Sequence, residues 1–166
     1  MTHRPEILID GDPHHAERLA TLRADRSLTV VDEIAGMRAE LAKLRPVAGP
    51  DLLDEPTRWV HYPWRHALVH VLGPTSFRRL RLDRNRNKIT VEEQARFDQL
   101  SIGVIGLSVG HAVAHTLALE GLVGQLRLAD FDEIELSNLN RVPATLLDLG
   151  TNKAVVAARR IAEIDP

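Results

Sequence analysis

The chain has 166 residues, with 21 Lys and Arg against 23 Asp and Glu and a formal net charge of -2. That balance excludes a general attraction for nucleic acid or anionic lipid, no apolar run reaches membrane-spanning length, and the polar start Met1-Thr2-His3-Arg4-Pro5 is not a secretory signal. With no cysteine, disulfides, thiolate zinc sites and a thioester-forming cysteine are excluded within these residues, and the cytoplasm is the expected compartment.

In chain order, Ile7-Leu8-Ile9 reads as a strand, and Asp12 caps a helix with Pro13 at its first position and Ala16, Leu19, Ala20 and Leu22 on its apolar face. Leu28-Thr29-Val30-Val31 reads as a second strand, and Ile34 to Leu44 as a second amphipathic helix ended by Arg45-Pro46. Residues 1–45 are therefore expected to form a small βαβα unit. Asp10-Gly11-Asp12 reads as a turn and helix cap rather than a metal loop. Pro46, Gly49, Pro50 and Pro56 make 46–56 a linker.

Residues 57–83 form a connecting segment with two distinct features. Arg58-Trp59-Val60-His61-Tyr62-Pro63-Trp64-Arg65 holds both tryptophans and the only tyrosine, a grouping that suits a satellite core or an interface patch. Ala67 to Leu72 reads as strand or helix with nothing in its periodicity to decide between them. Arg78, Arg79 and Arg81 read as a solvated face with snorkelling stems. His66/His70 and His111/His115 both have i, i+4 spacing, yet neither pair brings a third ligand, so no metal site is assigned.

Ser101-Ile102-Gly103-Val104-Ile105 reads as a fully buried strand that breaks at Gly106-Leu107-Ser108-Val109-Gly110. A helix comes next, with Val109, Ala112, Val113, Thr116 and Leu117 at helical spacing and Gly121 closing it. Gln125 to Ala129 is a second strand, and Asp130-Phe131-Asp132 puts two carboxylates at its end. A glycine turn between strand and helix lets free N–H groups and the helix dipole meet an anion, and an acid at the tip of the next strand can accept ribose hydroxyls. The expected class is α/β, with a Rossmann-like parallel sheet preceded by the small βαβα unit.

The run from Asp130 through Ser137-Asn138-Leu139-Asn140-Arg141 resembles the signature of the E1-like activating enzymes, which include ubiquitin-activating enzymes and ThiF-type adenylyltransferases of thiamine and molybdopterin synthesis. Gly150-Thr151-Asn152-Lys153 resembles the family's Gly-x-x-Lys. Arg86-Asn87-Lys88 to Gln94 resembles its arginine-bearing lead-in segment. The resemblance covers residues 84–166 and implies a ThiF-type nucleotide-binding domain, incomplete because the strand after Pro166 and the magnesium-associated aspartate beyond it are missing. The aromatic patch and the 83–90 segment also resemble a mycobacterial-type subgroup in which a ThiF domain precedes a nitroreductase-like domain.

What the resemblance implies is ATP- and Mg2+-dependent adenylation of the C-terminal carboxylate of a small ubiquitin-like or sulfur-carrier protein, by a homodimer in its full-length form. Arg141, Lys153 and Arg86 are the catalytic cations, with Arg86 reaching the triphosphate across the dimer. Gly106, Ser108, Gly110, Asp130, Asp132, Asn138 and Asn140 hold the nucleotide, Asp130 at the ribose. The turn departs from the family's Gly-x-Gly-Gly-x-Gly, being one residue shorter and two glycines poorer. Two alternatives stay open. One is an NAD(P)-dependent oxidoreductase, for which Asp130 has the right distance from Gly110. The other is a non-catalytic module that binds a partner through residues 58–65.

Overall fold

The computed structural model describes residues 3–166 and divides into two compact units, Pro5–Arg84 and Asn85–Pro166. In the first unit β1 (Glu6–Ile9), α1 (Pro13–Ala24), β2 (Thr29–Asp32) and α2 (Ile34–Leu41) come in the expected order. Asp12 accepts the His14 N–H at 2.8 Å, with Pro13 at the first helical position, so α1 starts where the capping chemistry demands. Next come the single turn α3 (Pro50–Leu53), the hairpin strands β3 (Arg58–Tyr62) and β4 (Ala67–Val71), and α4 (Pro74–Arg81).

These strands make one sheet in the order β1-β3-β4-β2. β3 runs antiparallel to both β1 and β4, while β2 runs parallel to β4. Residues 5–45 thus do not close on themselves. β1 and β2 lie at opposite edges, and the β3–β4 hairpin between them supplies the only ladder partner each has among the described residues. Side chains alternate across the sheet: Leu8, Trp59 and Leu68 pack with Leu19 and Leu22 of α1. On the other face Val60, Tyr62 and Val71 meet Met37 and Phe77.

The aromatic segment is core. Trp59 is 2% exposed and stacks on His70 with ring centroids 4.1 Å apart, and Tyr62 is also buried. A partner-binding patch built on residues 58–65 loses Trp59 and Tyr62 to that interior. Residues 46–56 differ from a bare linker as well. Leu44 and Ala48 join a core cluster with Leu41 and Leu72, and the Glu55 carboxylate accepts the N–H groups of Thr75 and Ser76, capping α4 in place of the side chain that Gly73 lacks. Arg78, Arg79 and Arg81 are half-buried rather than solvated. Arg79 pairs with Asp83 at 2.8 Å. His66 and His70 lie around a hairpin, not on a helix face.

The second unit opens with a 3-10 turn, Asp83–Asn87, which begins just ahead of it, and α5 (Val91–Phe97), capped by a reciprocal Thr90/Glu93 box. β5 (Ser101–Ile105) and β6 (Gln125–Ala129) pair in parallel, Ser101 opposite Gln125 and Ile105 opposite Ala129, as a βαβ crossover through α6 (Gly110–Glu120) requires. Gly121, at φ 64°, ends α6. Its last carbonyls are met from the lead-in segment: Asn85 donates to the Glu120 carbonyl and Gln94 to the Gly121 carbonyl, both at 2.7 Å. The final helix is α7 (Lys153–Ala162). Among the described residues no helix is long and apolar enough to cross a membrane.

Candidate functional site

The turn after β5 uses its two glycines for different reasons. Gly106 has φ 82°, a region L side chains rarely adopt, and its N–H reaches the Ala129 carbonyl at 2.9 Å, tying the turn to the end of β6. Gly110 begins α6, and a Cβ there would lie 2.7 Å from Val104 Cγ1, so it is the close approach of helix to strand that requires glycine. Between them Leu107 is fully buried. The N–H groups of Ser108 and Val109 have no acceptor among the described residues.

Asp130, at the end of β6, is turned back onto this loop. Its carboxylate accepts the Leu107 N–H at 2.5 Å and the Asp132 N–H at 2.9 Å. Burial pushes this carboxyl up, but those two N–H groups and the Lys153 charge outweigh it and hold it below the usual carboxylate range. Lys153 is the first residue of α7, with its side chain only 5% exposed. Its Nζ lies 2.9 Å from Asp132 Oδ2 and 3.4 Å from Ser108 Oγ. The structure therefore joins Ser108, Asp130, Asp132 and Lys153 directly. Asp132 serves Lys153 and not Arg141.

Arg141, Asn138 and Asn140 belong to a loop that folds on itself. Asn138 is buried and accepts the Glu135 N–H at 3.1 Å, closing the 3-10 turn Leu136–Asn138. Arg141 donates to the Ser137 carbonyl at 3.2 Å and to Asn140 Oδ1 at 3.0 Å. The loop is anchored by Ile134 and Val142, which pack on Val156 of α7. Arg86 sits exposed in the 3-10 turn ahead of α5.

Asn152 is the member of the site that motif reading passed over. It caps α7, its Oδ1 accepting the N–H groups of Ala154 and Val155 at 2.9 and 3.3 Å. Its Nδ2 donates to the carbonyls of Asp130 and Asp132 at 2.8 and 3.2 Å. A polar cap residue directly ahead of Lys153 and a helical apolar run was the available signal. His111, by contrast, is fully buried with neither ring nitrogen paired among the described residues. Burial, and then the neighbouring His115, push its pKa down to about 4. No group of three His, Asp or Glu among the described residues is arranged to hold a metal.

The sequence model of the ThiF family matches residues 82–166. An uncharacterised protein of Mycobacterium tuberculosis (strain CDC 1551 / Oshkosh) is 55% identical over 160 residues, which are 96% of this chain and 22% of the relative. A ubiquitin-like modifier-activating enzyme 5 of Aedes aegypti is 38% identical over 46% of this chain and 19% of its own length. A probable molybdopterin-synthase adenylyltransferase of Porphyra purpurea is 37% identical over 48% of this chain and 21% of its own length. The chain thus spans about a fifth of these curated relatives. Among solved structures, the tRNA N6-threonylcarbamoyladenosine dehydratase TcdA of E. coli superimposes with a TM-score of 0.51 at 32% identity, over 53% of this chain and 37% of that one. The parallel β5–α6–β6 crossover, the acid pair after it and the matched stretch from residue 82 agree: the chain belongs to the ThiF family of E1-like proteins.

Proposed function

We propose that the Asn85–Pro166 unit is part of the nucleotide site of an adenylyltransferase that activates the C-terminal carboxylate of a small ubiquitin-like or sulfur-carrier protein with ATP and Mg2+. The observation that carries the reading is Lys153: a buried ammonium held between Ser108 of the glycine turn and Asp132, beside the Ser108 and Val109 N–H groups, which have no acceptor among the described residues. That donor set is positively polarised and fits a polyphosphate. Asp130 keeps acceptor capacity beyond its two N–H partners, since each carboxylate oxygen has two lone-pair sites, and is assigned to the ribose.

In the reaction the carrier carboxylate attacks the α-phosphate, the bond to the β-phosphate oxygen breaks, and acyl-adenylate and pyrophosphate result. Bound Mg2+ supplies charge neutralisation on the phosphates. Lys153 and Arg141 are assigned to the charge that builds on the phosphate oxygens, and rigid placement of Lys153 by Asp132 and Ser108 lowers the reorganisation needed. Arg86 is assigned to the triphosphate of the partner subunit's site in a homodimer. Asn138 holds its own turn and contributes indirectly, by shaping the loop that presents Arg141.

The test is ATP–pyrophosphate exchange by the full-length protein with a carrier ending in glycine. Lys153→Ala and Arg141→Ala should each lower turnover tens to several hundredfold, the equivalent of about 2–4 kcal/mol. Wild-type exchange by both variants, with the fold intact, would show that these residues do not handle phosphate.

A further inference from the structure

We propose that Asn152 is a positioning residue for the nucleotide site: one side chain sets the backbone of both acids, and through Asp132 the place of the Lys153 ammonium. The inference rests on the phosphate role given to Lys153 above. The Asn152 side-chain amide uses both its oxygen and its nitrogen, each twice. Its oxygen faces the N–H groups of Ala154 and Val155, and its nitrogen faces the carbonyls of Asp130 and Asp132. Donors on one side and acceptors on the other leave only one orientation of the amide.

The contacts converge on one short stretch. The Asp132 carbonyl also accepts the Lys153 N–H at 2.9 Å, and the Glu133–Asn152 bridge with the Ile134 N–H to the Thr151 carbonyl zips residues 132–134 along residues 150–153. The backbone of Asp132 is thereby fixed to the first turn of α7, and its carboxylate returns to hold Lys153 Nζ at 2.9 Å. Asp130, whose carbonyl takes the shorter Asn152 bond, is held at the same time with its carboxylate on the Leu107 N–H. A cap alone asks only for an acceptor. Ser and Asp both cap helices well, but neither ionised Asp nor Ser can cap α7 and donate to two carbonyls together.

That difference separates positioning from capping. MgATP affinity of the full-length protein, measured by calorimetry well below the unfolding transition, is the readout. Asn152→Ser and Asn152→Asp keep the cap, so a merely structural role predicts wild-type affinity for Asn152→Ser, and for Asn152→Asp only the loss that its added negative charge imposes. Positioning predicts that each binds MgATP about tenfold more weakly. The Asn152→Asp deficit should also shrink, relative to the wild type at the same pH, between about pH 8 and about pH 5. A protonated carboxyl regains one donor, and burial against carbonyls raises the pH at which it forms.

A cycle with Lys153→Ala completes the test. Acting through Lys153, Asn152→Ser should add less than about twofold to the loss already caused by Lys153→Ala, because the two changes are not independent. Wild-type affinity in Asn152→Ser with weakened Lys153→Ala, or losses that multiply in the double variant, overturns the positioning role alone. Wild-type affinity in Lys153→Ala overturns the phosphate assignment of Lys153 and this inference with it.

Discussion

Among the described residues the buried side chains with polar groups left unpaired include Trp59, whose Nε1 has no partner, and His111, which has neither ring nitrogen paired. Asn152 and Asn138 by contrast bond neighbouring backbone, whereas His111, fully buried in the first turn of α6, has both nitrogens unpaired among the described residues. Its surroundings are His115 and Arg160, which disfavour protonation, and Asp148, which favours it only weakly against burial. With a pKa near 4 against 6.5 for the ordinary group, the folded protein keeps His111 neutral while the unfolded chain takes up a proton. The resulting stability is complete above pH 6.5 and is lost as the pH falls from there towards 4, by up to about 3 kcal/mol. His111→Leu should be at least as stable as the wild type at neutral pH and should lose less stability on acidification. Urea unfolding at two pH values checks both. The i, i+4 spacing announced the pair in the sequence; that one member would be buried without a partner depends on α7, which no local pattern reveals.

At the scale of elements, punctuation decided what the sequence could disclose. β5, α6 and β6 were legible as elements because Gly106, Gly110 and Gly121 bound them and the apolar residues keep strand and helix periods between, but the burial expected of β5 fails: none of its five residues is buried. The β3–β4 hairpin was not, since its connection Pro63-Trp64-Arg65-His66 lacks an Asn-Gly or Gly-rich signal and instead turns on His66 at φ 47°. α3 was hidden among prolines, with Pro50 acting as a helix starter at its first position. The glycines give a direct measure of these roles. Gly110→Ala should cost about 1–3 kcal/mol by pushing α6 off Val104. Gly36→Ala, exposed inside α2 with nothing within 4 Å of its Cβ, should stabilise by about 0.5–1 kcal/mol. Thermal unfolding of the two variants in parallel reads the contrast.

For the whole molecule, what escaped sequence reading was pairing between distant segments. Glu6 lies opposite His61 and Asp32 opposite His70, separations that neither period nor turn chemistry encodes. The same pairings make a prediction about fragments. A chain ending at residue 45 leaves β1 and β2 without their ladders and should be unfolded by circular dichroism, while residues 5–84 should fold with a cooperative transition. The candidate site was legible to the level of Gly106, Asp130, Asp132 and Lys153 because their motifs are local. The buried state of Lys153 and the tie made by Asn152 arise only when β6 and α7 come together.

β2 is attached to its sheet without being packed into it. None of its four residues is buried, and beyond its ladder to β4 it is held by Asp32, whose carboxylate sits 2.9 Å from His70 Nδ1 while His70 Nε2 meets Thr57 at 2.9 Å. The other strands of that sheet each put buried apolar side chains into the core, Leu8 from β1, Trp59 and Val60 from β3, and Leu68 and Val71 from β4. This edge is fastened instead by its backbone ladder and by the hydrogen bond between the exposed Asp32 carboxylate and His70. Loss of that one carboxylate, as in Asp32→Ala, would therefore loosen one margin of the sheet and leave its apolar centre in place.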